Sequence, residues 1–329
     1  MWFKCRDQGN RWSHHIRAET WDNCLLSRNL PDFRTPGRHH RMVFGLPDCV
    51  DCWVMKPFRR HPLQCLLTAC VCLCAIAPAA DSDRVVSDPD AFTFVRVRYD
   101  SSGGYGESWY SYEGRDWQRW ETDYPRAETN LMMRLTQLTS IRVNPDPIVL
   151  RLTDPALFDH PFIFMSDVGW LRLSARERQT LTQYLDSGGF LWIDDFWGNA
   201  EWQNMHRNLS GLRSDWKWKP VPAEHPILHT VYQLKGCPQV PARIFYQQSG
   251  LPFDPPQSHR YPAGGIAGVK DVRFMGLFDD AGRLLAVATH NTDIADGWER
   301  EGESKEFFDR FSVHSYAMGI NILFYAMSH

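Results

Sequence analysis

Beyond residue 90 the apolar positions fall into short blocks that alternate between strand-like and helix-like spacing. Residues 92–99 (FTFVRVRY) have the aromatic and β-branched content of a first strand. Asp123-Tyr124-Pro125 opens a helix, and Ala127, Leu131, Leu135 and Leu138 give it one buried face. Residues 148–152 and 162–165 read as second and third strands. Ser174-Ala175-Arg176-Glu177 is a capping box that starts the next helix, with Leu181, Tyr184 and Leu185 on its buried face and Gly188-Gly189 as its stop. The run Phe190-Leu191-Trp192-Ile193 that follows is apolar without alternation, the pattern of a strand buried on both faces, and it ends in Asp194-Asp195. Trp202, Met205, Leu209 and Leu212 mark a further helix, and residues 243–247 suit a strand. Residues 272–278 and 283–289 form a hairpin by the turn chemistry of Asp279-Asp280-Ala281-Gly282, and residues 311–327 make a closing apolar helix. Alternating strands and helices imply an α/β fold: a doubly wound, mostly parallel sheet with helices on both faces and a late β-hairpin, in a single domain over residues 80–329.

Charge and cysteine divide the chain unevenly. Residues 1–79 carry net charge +5 and residues 80–329 carry −8, and eight of the nine cysteines precede residue 75. The acidic part holds no Lys/Arg stripe for a phosphate backbone, so nucleic acid is not an expected partner. It was not built as a disulfide framework either. From Met55 the basic start Met-Lys-Pro-Phe-Arg-Arg-His, the apolar stretch to Ala77 and the small-residue end Ala77-Pro78-Ala79 make a signal peptide over residues 55–79. The expectation is an exported protein of the periplasm or cell envelope. Leu67-Thr68-Ala69-Cys70 resembles a lipoprotein cleavage box, but the apolar run continues past Cys70, which favours simple export. Residues 1–54 show no helical or strand period and read as a disordered or mis-set upstream extension; Cys49-x-x-Cys52 there lacks a second pair.

In parallel sheets ligands bind beyond the carboxyl ends of the strands. Asp100, Asp167, Asp194, Asp195, His290, Asn291 and Asp293 all fall at such ends, which collects them on one edge. Adjacent strand residues point to opposite faces, so of Asp194 and Asp195 one enters a crevice there and the other caps a helix or bonds backbone. His290, with Asn291, Asp293, Asp296 and Glu299 nearby, suits a divalent metal or a base with its orienter, although the spacing matches no calcium loop and no zinc motif. The expected catalytic candidates are His290, Asp195 and Asp167; Asp100, Asp194, Trp197, Asn291 and Asp293 are expected to touch ligand. No organic cofactor is expected, because the loop Ser101-Ser102-Gly103-Gly104-Tyr105-Gly106 fits neither the dinucleotide fingerprint nor a P-loop. Trp109, Tyr110, Tyr112, Trp117 and Trp120 form either a stacking platform or a lid.

Taken together, Asp123-Tyr124-Pro125-x-Ala127-Glu128-x-Asn130, Gly188-Gly189-Phe190-Leu191-x-x-Asp194-Asp195-Phe196, His225-Pro226-Ile227 and His290-Asn291-x-Asp293-x-x-Asp296-x-Trp298-Glu299 resemble an uncharacterised, often exported bacterial family, domain-of-unknown-function family 4159. That family is similar to the class I glutamine amidotransferase-like fold, which includes trehalose-utilisation-type domains. The resemblance implies a flavodoxin-like sheet and brings no established activity. Amidotransferases use a Cys nucleophile on a strand–helix elbow; here Cys237 lies in Lys235-Gly236-Cys237-Pro238 without one, so glutaminase chemistry is not expected. The leading expectation is a non-catalytic module for a carbohydrate or other cell-envelope ligand. A hydrolase using Asp195, Asp167, His290 and Asp293 with water or metal is the alternative. A membrane-associated protein partner is the third expectation.

Overall fold

The computed structural model describes residues 88, 90–104, 106–253 and 269–329, and the backbone of two short strands, Trp2–Arg6 and Trp12–Arg17, paired antiparallel. The signal-like segment 55–79, with Cys70, lies outside the described residues, as does most of the upstream extension. No strand was expected within residues 1–54, and this pairing is the exception.

The sequence folds as an α/β protein around a seven-stranded, mostly parallel sheet. Its strands are β1 Val95–Val97, β2 Ile148–Leu150, β3 Phe162–Ser166, β4 Phe190–Phe196, β5 Lys217–Pro220, β6 Arg273–Phe278 and β7 Leu284–His290, in the spatial order β2-β1-β3-β4-β7-β6-β5. The first five in that order run parallel, and β6 is antiparallel to both neighbours. The late hairpin is β6–β7, turned by Gly282 at φ 83°. Strand β5 has no forerunner in the hydrophobic pattern, because it reads Lys-Trp-Lys-Pro on an exposed edge.

Successive residues of the central strands enter two separate cores. Phe94, Phe162, Phe164, Phe190 and Trp192 pack with Leu131 and Leu135 of α1 (Arg126–Leu138) and with Ile320 and Leu323 of the long terminal helix Val313–Ser328. Val95, Val97, Ile163, Met165, Leu191 and Ile193 pack with Leu181, Tyr184 and Leu185 of α2 (Ala175–Asp186) and with Met205 and Leu209 of α3 (Gly198–Leu209). Each large apolar side chain buried this way contributes about 1.5–3 kcal/mol before entropy is counted, so burial on both faces fixes the strand register. The capping box forms as the sequence requires: Ser174 Oγ accepts from Glu177 N, and the Glu177 carboxylate accepts from Ser174 N at 2.8 Å. Gly188, at φ 97°, ends α2 in the left-handed conformation.

Two expectations fail. Residues 243–247 are helical, within α4 (Arg243–Ser249): Phe245 N and Tyr246 N both bond the Ala242 carbonyl, and left-handed Gly250 ends the helix. Phe245 and Tyr246 are buried as neighbours, which a one-sided strand would not do. Leu138, expected on the buried face of α1, is 49 % exposed, because the helix leaves the core in its last turn.

A short helix, α5 (Ile294–Glu299), follows β7 and is buried along its length. Trp298 packs edge-on against Trp192 with ring centroids 5.4 Å apart, and Asn130 Nδ2 of α1 donates to the Trp298 carbonyl at 2.8 Å. Gly319 permits the approach of the terminal helix, since a Cβ there would lie 2.6 Å from Trp298 Cζ2. Held on three sides, α5 is a rigid support at the carboxyl edge of the sheet. No helix among the described residues is long and apolar enough to cross a membrane.

Candidate functional site

Strands β3, β4 and β7 all finish in residues that leave the extended conformation. Asp167, Asp195 and Asn291 have φ of 57°, 53° and 63°, and Asp123, on the loop before α1, has 66°. Asp and Asn enter this left-handed region more readily than other side-chain-bearing residues, because their short polar groups bond locally. The turn at Asp195 shifts the register between β4 and β7 and breaks the strand's alternation. Asp194 and Asp195 therefore do not diverge as alternation requires; both approach α5. The Asp194 carboxylate accepts from Ala295 N at 2.9 Å in the first turn of α5 and from Thr289 Oγ1 at 2.5 Å. Asp195 meets Asp123 and Asp293 instead.

Asp293 is the N-cap of α5, its carboxylate accepting from Asp296 N at 2.9 Å. Asp293, Asp296 and Glu299 stand three residues apart, which puts them on one face of the helix. One oxygen each from Asp123, Asp195 and Asp293 lie within 4.8 Å of one another, and so do oxygens from Asp123, Asp296 and Glu299. Asp123 belongs to both triads, and its buried Oδ2 has no hydrogen-bond partner. Both triads consist of carboxylate oxygen alone, the donor chemistry of a hard divalent cation and not of zinc held by His or Cys.

Arg119, Arg243 and Arg300 border the same cavity as Asp123, Asp293, Asp296 and Glu299. The Arg300 guanidinium pairs with Glu299, with Asp296 at 3.6 Å and with Glu303 at 2.8 Å. Burial pushes the Asp123, Asp293 and Asp296 carboxyls well above their ordinary range, and neighbouring carboxylates push them further: Glu299 acts on Asp123 and Asp296, and Asp195 on Asp293. Burial also raises Glu299, against the pull of Arg300. Asp194 is pushed up to about 8, chiefly by burial, with its Thr289 hydrogen bond opposing.

The cavity that Asp123, Asp293, Asp296 and Glu299 line has a volume of about 250 Å³. Its walls include Tyr110, Tyr112 and Trp117, from the antiparallel pair Trp109–Tyr112 and Arg115–Gln118, and Arg243 and Phe245 of α4. Arg119 fastens this aromatic hairpin to the sheet. It donates to Asp167 Oδ2 at 2.8 Å, to the Glu107 carbonyl at 2.8 Å and to the Gly106 carbonyl.

The residues singled out from the sequence thus separate. Asp195 and Asp293 stand in the carboxylate group. Asp167, fully buried, belongs to the Arg119 anchor and also accepts from Thr122 Oγ1 at 3.0 Å. Asn291 bonds Gly198 N and the Asp271 carbonyl, each at 2.7 Å, and pins two loops together. Trp197, expected to touch ligand, is fully buried and donates from Nε1 to Asp195 Oδ1 at 3.0 Å. Asp100 is 65 % exposed, paired with Arg151 at 3.2 Å. His290 is in neither triad. Its ring packs against Phe196 and Trp202, with centroids 4.8 and 5.4 Å away, while Nε2 bonds the Gly198 carbonyl at 2.9 Å and Nδ1 has no partner. Burial lowers its pKa to about 4, so the ring is neutral. The pairing of His290 with Asp195 is therefore not formed, because Ala286, Ala288 and His290 share a strand face directed away from α5. Desolvation raises the Cys237 thiol, which gives it no thiolate character.

Of the group, Asp296 and Glu299 were named only as acidic neighbours of His290, and Asp123 only as part of a helix opener. The Asp293-x-x-Asp296-x-x-Glu299 spacing carries the helical signal for the first two. Asp123 has no such signal, since before Tyr124-Pro125 it reads as a helix opener. No curated protein matches the chain. Residues 93–327 match the family described as Domain of unknown function (DUF4159), and the chain belongs to that family.

Proposed function

We propose that this domain binds hard divalent cations through the carboxylates around Asp123 and uses them to hold a small oxygen-bearing ligand beneath the aromatic hairpin. The observation that carries the reading is the pair of carboxylate triads sharing Asp123, whose buried Oδ2 has no hydrogen-bond partner. Buried like charges at this spacing are relieved by protons or by a cation, and an ion in the floor of the pocket keeps positions open toward it. Tyr110, Tyr112 and Trp117 line the cavity, each with an arginine over one face, and aromatic rings of this kind suit a sugar, so the ligand class is a carbohydrate or related cell-envelope fragment. The signal-like segment 55–79 supports an exported protein working in that compartment. The strand order and the two helix layers support a flavodoxin-like, doubly wound arrangement, and with it the kinship to amidotransferase-like folds.

Calorimetric titration of the metal-stripped protein with magnesium, calcium and manganese(II) at neutral pH tests the cation. Saturable binding of at least one is expected, and no binding of any would overturn the reading. A carbohydrate panel in the presence of that cation then tests the pocket, by thermal shift.

The raised carboxyls favour one second reading. Were the triads to hold a cation, it would supply an acidified water, and Asp293 or Asp296 would be placed to take the proton, which would give metal-assisted hydrolysis without His290 or Asp167. Cation-dependent turnover of glycosides, esters or phosphoesters, lost in Asp123→Asn, is its signature; absence of turnover across such a panel removes it.

A further inference from the structure

The loop that presents Asp123 is held from below by a charged side chain on β1. Arg96 is fully buried, and its Nε donates to Glu128 Oε1 of α1 at 2.6 Å. The same guanidinium turns Nη1 to two carbonyls of the loop, Thr122 at 2.9 Å and Trp120 at 3.2 Å. Its plane lies near the rings of Phe164 and Tyr124, 4.9 and 5.9 Å from their centroids. Thr122 is also held through its hydroxyl, which donates to Asp167 Oδ2 at 3.0 Å and shares a hydrogen bond with Tyr110 OH at 3.0 Å. The peptide entering the left-handed Asp123 is thus fixed through its carbonyl by β1 and through its side chain by the β3 end and the hairpin.

We infer that Arg96, neutralised by Glu128, is a positioning residue for the Asp123 carboxylate and thereby sets cation affinity without touching the ion. This rests on the cation reading above. An uncompensated charge at a position this buried is costly, and an apolar pair would pack there at lower cost. What an apolar pair cannot do is hold two carbonyls, and a planar fork that also pairs a carboxylate does all three at once. Lysine keeps the charge and loses the fork.

The test uses the full chain with terbium(III) as the probe, its luminescence sensitised by Tyr110, Tyr112 and Trp117 and competed with magnesium. Four proteins are compared: the wild type, Arg96→Lys, the double variant Arg96→Met with Glu128→Leu, and Leu181→Ala. Leu181 lies in the opposite core, so its variant lowers stability without approaching the loop. The wild type and Leu181→Ala are expected to bind terbium equally, while both Arg96 proteins bind about ten- to a hundredfold more weakly, the range for outer residues that orient ligands. The double variant should fold at least as stably as Leu181→Ala, so weakened binding there reports positioning and not unfolding. If the wild type binds no terbium, the cation reading fails and the inference with it. If the wild type binds and the folded double variant binds equally well, Arg96 only supports the fold; the inference is overturned while the cation reading stands.

Discussion

At the carboxyl ends of β4 and β7 the molecule buries ionisable groups on two sides, and it treats them differently. On one side His290 sits among Phe196 and Trp202, bonded to one backbone carbonyl and kept neutral by burial. On the other side Asp123, Asp195, Asp293, Asp296 and Glu299 crowd together, and Arg300 pairs with Asp296 and Glu299. An imidazole relieves its desolvation by giving up a proton, at little further cost near neutrality. Carboxylates do the reverse: they must take protons up, or be met by a cation. The first arrangement carries no charge, although Nδ1 is without a partner, whereas the second gathers like charges that protons or a cation would relieve. That difference, more than the number of acidic residues, is why the cation is proposed on the carboxylate side.

The sharpest way to break the comparison is to remove the residue common to both triads. Asp123→Asn is expected to lower cation affinity by about a hundredfold or more, since ligand charge sets affinity at such sites. It should also stabilise the cation-free protein by about 1 kcal/mol, because a buried like charge disappears. Calorimetry and thermal melts read both. Unchanged affinity would remove Asp123 from the site. On the other side, His290→Ala leaves a cavity between two aromatic rings and should cost about 2–3 kcal/mol of stability with no change in cation affinity. A loss of affinity in folded His290→Ala protein would mean that the two sides are coupled.

Acid reads both sides in one experiment. The Asp194 carboxyl titrates near 8 in the fold against an ordinary value of 3.8, so it contributes stability that is complete at low pH and lost as pH rises through about 8. His290 titrates near 4 against 6.5, so its contribution is complete above 6.5 and lost as pH falls toward 4. Between pH 8 and 6.5 only the carboxylate side changes, and the cation-free melting temperature should rise as pH falls. Below 6.5 the two contributions oppose and the curve should flatten. Saturating magnesium should lessen the rise, because acidification then removes ion from the triads, while the Asp194 contribution persists. A cation-free melting temperature that falls from pH 8 to 6.5 would contradict the raised carboxyls.

Much of the framework was legible because local rules and burial agree there. Ser174 to Glu177, Gly188-Gly189 and the unbroken apolar run at residues 190–193 each demand one structure, and the two cores supply it. Residues 243–247 misled because a short aromatic block suits strand or helix equally, and the choice fell to the Ala242 carbonyl and Gly250. The site was legible only to its edge of the sheet. The division of roles between Asp194 and Asp195 holds, Asp194 bonding the α5 backbone and Asp195 joining the carboxylates, but it comes with a left-handed turn inside the strand that no pattern of neighbours signals. Asp123 and Arg96 come together with α5 and α1 through tertiary packing, for which a sequence has no local spacing.

The smallest effect concerns Trp197, which exchanges a ligand-facing role for an orienting one. Its ring is fully buried, and Nε1 donates to Asp195 Oδ1 at 3.0 Å. Asp195 already occupies a left-handed conformation, so its carboxylate direction depends on this bond as well as on the backbone. Trp197→Phe retains most of the apolar volume and removes the donor alone. The cation affinity should fall by up to about tenfold, as for other residues that orient a ligand from behind. Carbohydrate binding measured at saturating cation should be unaffected, because the ring does not line the cavity. A variant that keeps full cation affinity but loses carbohydrate would restore Trp197 to the ligand and place the pocket on the wrong side of Asp195.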